Sequence, residues 1–212
     1  MDNLGHYGMT VRFNSAEEQR LFMEDIRGKS VLSGQFGTDH YYARYGTTTF
    51  DFAGEVTRLL VEKGVVHASE PTFPLQQLHE YLPAEKKALD ESELNAVSRA
   101  FYETDVRFLQ LYYRFVGEVI APLFEADLYF QSTPTMRFQF PHQAGFTWKP
   151  RIHTDIMLGH PPCEVNVWDP FTPAYGTNTM MIARMEDSMR LLEELDFDFE
   201  TFAYRVQRDS MF

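Results

Sequence analysis

Apolar residues recur at three- and four-residue steps at Leu94, Val97, Phe101, Phe108, Tyr112, Phe115 and Val119, and only Thr104 interrupts the stripe. The spacing predicts one long amphipathic helix over 92–119, closed by Pro122 because proline has no amide hydrogen to continue the ladder. Roughly 28 residues rising about 1.5 Å each make a rod of about 42 Å, long enough to flank a β core. Such a stripe reads as core packing in preference to a ligand-binding role. Earlier in the chain, Asn14 and Ser15 place capping side chains ahead of Ala16-Glu17-Glu18, where acidic charge favours a helix start; this short surface helix stops at Gly28. Another helix is expected over 52–63, ending at Gly64. Pro71, Pro74 and Pro83 then mark the following stretch as loop.

From Thr133 the period becomes two. Met136, Phe138 and Phe140 alternate with Arg137 and Gln139, which predicts a strand with one apolar and one polar face. Further short strands are expected at 151–155, 163–168 and 179–183. Helical spacing returns with Met185, Met189, Leu192 and Leu195 and continues through Phe199, Phe202 and Val206 with no stop signal. Helices followed by strands predict an α+β fold. No repeat and no low-complexity linker marks a boundary, so a single domain over 1–212 is expected, mainly helical over 1–132.

Composition narrows the function classes. The 212 residues hold 19 Lys and Arg against 31 Asp and Glu, a formal charge of −12. That charge repels phosphate backbones and anionic lipid, so neither nucleic acid nor membrane is an expected partner. No signal segment or membrane span is legible, and the single cysteine, Cys163, cannot form an internal disulfide. Cytoplasm is the expected location, and homodimerisation is left open. Aromatic residues make up 15% of the chain, which suits a broad core and an aromatic-lined pocket equally. There is no glycine-rich phosphate loop and no G-x-S-x-G, so nucleotide and serine-nucleophile chemistry are set aside.

The remaining chemical signal is His153-Thr154-Asp155. Residues two apart on a strand point the same way, so an imidazole nitrogen and a carboxylate oxygen can reach one metal ion. The run from Arg151 through His153, Asp155 and His160-Pro161-Pro162, continuing over Glu164, Asn166 and Trp168 to Gly176-Thr177-Asn178-Thr179-Met180, resembles the phytanoyl-CoA dioxygenase-like superfamily. Its look-alikes sit in aminoglycoside and other natural-product biosynthesis clusters. The resemblance is specific over 136–182 and general elsewhere.

The resemblance implies a double-stranded β-helix, a jelly-roll or cupin-like core, flanked by N-terminal helices. Residues 133–212 would then hold the first part of that core with a helical insertion. It implies Fe(II) held by His153 and Asp155 as catalytic residues, with 2-oxoglutarate as co-substrate. The expected activity is hydroxylation of a small molecule of natural-product, sugar or amino-acid type. Arg137 and Gln139 would face the barrel interior and, with Asn166, Trp168 and Thr179, contact the co-substrate. Arg151 would contact substrate.

The family also needs a later histidine, and no His follows His160. The expectation is a truncated or damaged version of the fold, with open sheet edges. His142 or His160 would serve as third ligand only if their loops fold back, and His160, beside prolines, reads more simply as a loop residue. Two other functions fit the pattern: a catalytically incomplete β-helix binding protein, and a cupin-like metal-dependent isomerase or hydrolase with no need of 2-oxoglutarate.

Overall fold

The computed structural model describes residues 12–66, 73–88, 95–102, 105–141, 154–158 and 160–198. The chain divides into two compact units that draw on separated stretches. One lies within Met1–Tyr42, Trp148–Trp168 and Thr179–Phe212, the other within Ala43–Thr147 and Asp169–Asn178.

In the first unit, α1 spans Ala16–Lys29 and α2 spans Val31–Phe36. Ser15 caps α1 as its position predicts, accepting from Glu18 N at 3.1 Å, while the Glu18 carboxylate accepts from Asn14 N at 2.7 Å. Met23 and Ile26 form the buried stripe of α1, and they pack with Met189, Leu191, Leu192, Leu195 and Phe197 into one core. The last helix of the chain's described residues, Met185–Glu194, lacks a capping side chain of its own. Asp39 supplies the cap from a distance, accepting from Met185 N at 2.8 Å. The helix closes without glycine. Asp196 and Phe197 both turn left-handed, with φ of 52° and 53°, and Phe197 N donates to Leu192 O at 2.9 Å. A phenylalanine held there carries backbone strain of about 1 kcal/mol or more, which its burial at 3% exposure among Phe13 and Phe22 offsets. The helical spacing that runs on past Leu195 thus ends early, and 199–212 lie outside the described residues.

In the second unit, α3 (Phe52–Glu62) follows its predicted span. Asp51 caps it through Gly54 N at 2.9 Å, and Gly64 leaves it left-handed at φ +65°. A Cβ at Gly54 would sit 2.1 Å from Asp51 Oδ2, so a larger residue there would make the capping carboxylate shift. The proline-rich stretch expected as loop contains a 3-10 turn, Leu75–Glu80, and a single helical turn, α4 (Ala84–Lys87). Lys86 reaches back to the carbonyls of Gly64 and Val65, 3.3 and 2.7 Å away, which satisfies acceptors at the end of α3.

The long helix expected over 92–119 is broken. Its described parts are α5 (Ala96–Tyr102) and α6 (Val106–Phe115), the latter continuing as a π turn, Val116–Ile120. Asp105 adopts an extended backbone and caps α6 through Phe108 N at 2.8 Å, so the chain restarts instead of running through. Arg58 of α3 bonds Asp105, Glu55 and Glu62, clamping α3 to the start of α6. Between them lies a core of Phe50, Phe52, Val56, Leu59, Leu60, Val97, Phe101, Phe108 and Phe115.

The β-helix is not formed among the described residues. Among the described residues no strand is present, and the double-stranded, jelly-roll or cupin-like core expected for 133–212 gives way to extended coil, 3-10 turns and a helix. The α+β expectation is corrected to a mainly helical architecture. The stretch 133–140 shows why. Its alternation is real, because Met136 is buried and Phe138 and Phe140 pack on the helical core while Arg137 and Gln139 are exposed. Its backbone, however, is held by helix side chains in place of a neighbouring strand. Tyr112 and Tyr113 donate to the carbonyls of Gln131 and Ser132 at 3.0 and 2.8 Å. Asn95 donates to Phe138 O at 2.6 Å, and Phe138 N donates to Ser98 Oγ at 3.4 Å. The expected strands at 163–168 and 179–183 are likewise coil, and Asp155 opens a 3-10 turn, Asp155–Leu158, in place of a strand.

Candidate functional site

Of the expected site, Asp155 and Asn166 meet in one turn of the first unit, together with His160 and Glu164. Ile156 seats the turn on that unit's core. His160 N donates to Asp155 O at 3.1 Å, and Glu164 N to Pro161 O at 2.9 Å, so Pro161 and Pro162 fold the chain back on itself. This brings Glu164 Oε2 to 2.8 Å from His160 Nδ1 and places the Asn166 amide on Asp155, donating to Oδ2. The beside-proline histidine therefore bonds a carboxylate, not only backbone. Glu164 holds the His160 imidazole above its ordinary value by hydrogen bonding, with burial opposing and the charges of Glu164 and Asp155 adding to the rise. Thr154 Oγ1 is buried with no hydrogen-bond partner among the described residues.

Chemically, the turn offers an imidazole oriented by a carboxylate, which can hold and pass a proton, beside a second carboxylate bonded to an amide. Among the described residues no group of three or more His, Cys, Asp and Glu side chains could hold a metal ion. Asp155 presents an oxygen already bonded by Asn166, and it lies in a turn, where the every-second-residue geometry of a strand is absent. The metal-binding expectation is corrected to that extent: the described residues hold no metal-binding group. The partner ligand expected at His153 lies outside the described residues, as do Arg151 and His142.

The residues expected to hold 2-oxoglutarate do not converge on a barrel interior. Arg137 and Gln139 are exposed on the polar side of 133–140 in the second unit. Asn166, Trp168 and Thr179 are exposed in the first, Trp168 at 46%. Of the group, Asn166 alone meets Asp155. Glu164 carried no role in the sequence reading, although its position four residues after His160 across a Pro-Pro turn is a usable signal.

A pair in the second unit was not legible at all. Tyr45 OH donates to Asp169 Oδ2 at 2.7 Å across 124 residues of chain. Burial pushes the Asp169 carboxyl above the ordinary carboxylate range, with the Tyr45 hydrogen bond pulling the other way. Burial, then the bond to Asp169, raises the Tyr45 phenol.

No described helix is long and apolar enough to cross a membrane. No family model and no solved structure matches the chain. A curated protein, the streptomycin biosynthesis protein StrG of Streptomyces griseus, is 34% identical over 85 residues. That match spans 40% of this chain and 40% of the relative's length, so the similarity to a biosynthesis-cluster protein is partial.

Proposed function

We propose that the protein serves natural-product biosynthesis, and that the turn bearing Asp155, His160, Glu164 and Asn166 takes a polar, hydroxyl-bearing small molecule. The observation that carries this reading is the 34% identity over 85 residues with a streptomycin biosynthesis protein. The turn's chemistry supports it. A carboxylate, an imidazole and an amide supply both donors and acceptors, which is what hydroxyl groups need as partners. Glu164 favours the protonated imidazole, so His160 donates further into the neutral range while Asp155 accepts.

Hydroxylation of that molecule with Fe(II) and 2-oxoglutarate is the reaction implied by the resemblance over 136–182. The second reading is a binding protein without redox chemistry, favoured by the lack of a metal-holding group among the described residues. Anaerobic addition of iron(II) and 2-oxoglutarate separates the two. A weak visible charge-transfer band, lost in Asp155→Ala, supports the oxygenase; its absence supports the binding protein. The site itself is tested by calorimetric titration with a panel of sugars and cyclitols. Binding should weaken about tenfold in Asp155→Ala and in Asn166→Ala. Equal binding by wild type and both variants rejects the turn as the site.

A further inference from the structure

We propose that Asp169, bonded to Tyr45 in the second unit, is a recognition site for a protonated amine on a small molecule. Its carboxylate is partly exposed, and Tyr45 occupies one oxygen, Oδ2. No cationic side chain pairs with Asp169 among the described residues, although the chain carries many surface ion pairs. A half-buried carboxylate without a cation is a costly arrangement. Among the described residues Tyr45 is the titratable side chain bonded to it, and Arg114, over the Phe50 ring, is engaged by Glu118.

The aromatic residues tied to Asp169 are Tyr45, bonded to it, and Phe171, two residues on. Tyr45 packs edge-on against Phe115 at 4.8 Å and near Phe50 and Phe52, while Phe171, two residues past Asp169, stacks on Phe52 at 5.3 Å and 8°. Aromatic faces attract cations through their quadrupole, and this cluster already does so at one place, where the Arg114 guanidinium lies 5.4 Å from the Phe50 centroid. An ammonium bound at the open oxygen would gain a charge-assisted hydrogen bond and would offset the desolvation of the carboxylate. Tyr45 positions the carboxylate and leaves Oδ1 for the ligand. The site lies within the second unit and does not depend on the turn around Asp155.

The test is a chemical-shift titration of the full chain with glucosamine, against N-acetylglucosamine, which keeps the ring and removes the charge. Glucosamine should shift the resonances of Tyr45, Asp169 and Phe171, and N-acetylglucosamine should bind about tenfold more weakly or worse. Asp169→Asn keeps an acceptor for Tyr45 and should lose about tenfold in glucosamine affinity. Asp155→Ala should leave these shifts unchanged, which separates this site from the one proposed above. Equal binding of the two sugars by the wild-type chain, no binding of either, or undiminished binding by a folded Asp169→Asn protein would overturn the proposal.

Discussion

Asp169 keeps a carboxyl group where burial opposes its charge, and this has a consequence for stability. Its native value lies above the ordinary one near 3.8, so between those two values the folded chain binds more protons than the unfolded one. Stability contributed at this position is therefore present at acid pH and is lost as pH rises through the raised native value. Asp169→Asn removes the penalty. Its melting temperature should exceed that of wild type at neutral pH, with the difference shrinking toward pH values below 3.8. A constant difference across that range would reject the burial argument. His160 behaves in the opposite chemical sense. Its hydrogen bond to Glu164 favours the imidazolium, so its NMR titration midpoint should lie above 6.5 and should fall back in Glu164→Gln. A midpoint indifferent to that substitution would show that the pair does not persist in solution.

At the scale of elements, helices supply the polar partners that a sheet would have supplied. Asn95, at 1% exposure, accepts from Ser98 N at 2.8 Å at the start of α5 and donates to Phe138 O at 2.6 Å. Asn95→Ala leaves both partners unpaired, and a loss of about 2–3 kcal/mol is expected in urea unfolding. Asn95→Asp keeps the acceptor but not the donor, so it should also destabilise; a neutral effect would mean that Phe138 O has another partner. This double use of one amide explains what was legible. The cap Ser15, the end of α3 at Gly64 and the alternation of 136–140 are local signals, and each appears where it was read. The partner of the alternating segment is not local. A period of two reports which side chains are buried, and it is silent on whether a strand or a set of helix side chains holds the backbone. The same limit applies to the site: His153-Thr154-Asp155 has strand spacing, but Pro161 and Pro162 place Asp155 in a turn with Glu164 and Asn166. In the predicted long helix the apolar stripe continues across the break, so only Asp105, a strong capping residue, marks the restart.

The described residues form two cores, each assembled from segments far apart in the chain, so a scan for a composition shift or linker has nothing to find. Each core is densely apolar. Leu60, fully buried between α3 and its neighbours, should cost about 2–5 kcal/mol when cut to alanine, measured by chemical denaturation. A loss under about 1 kcal/mol would mean that the second unit collapses around the gap. The turn around Asp155 belongs to the other unit, and it contains the chain's single cysteine, exposed at position 163 between Pro162 and Glu164. A thiol-reactive dye would therefore attach at one defined place, beside the His160–Glu164 bond and with no engineering of the sequence. Its emission would convert the entry of any small molecule into that turn into an optical signal.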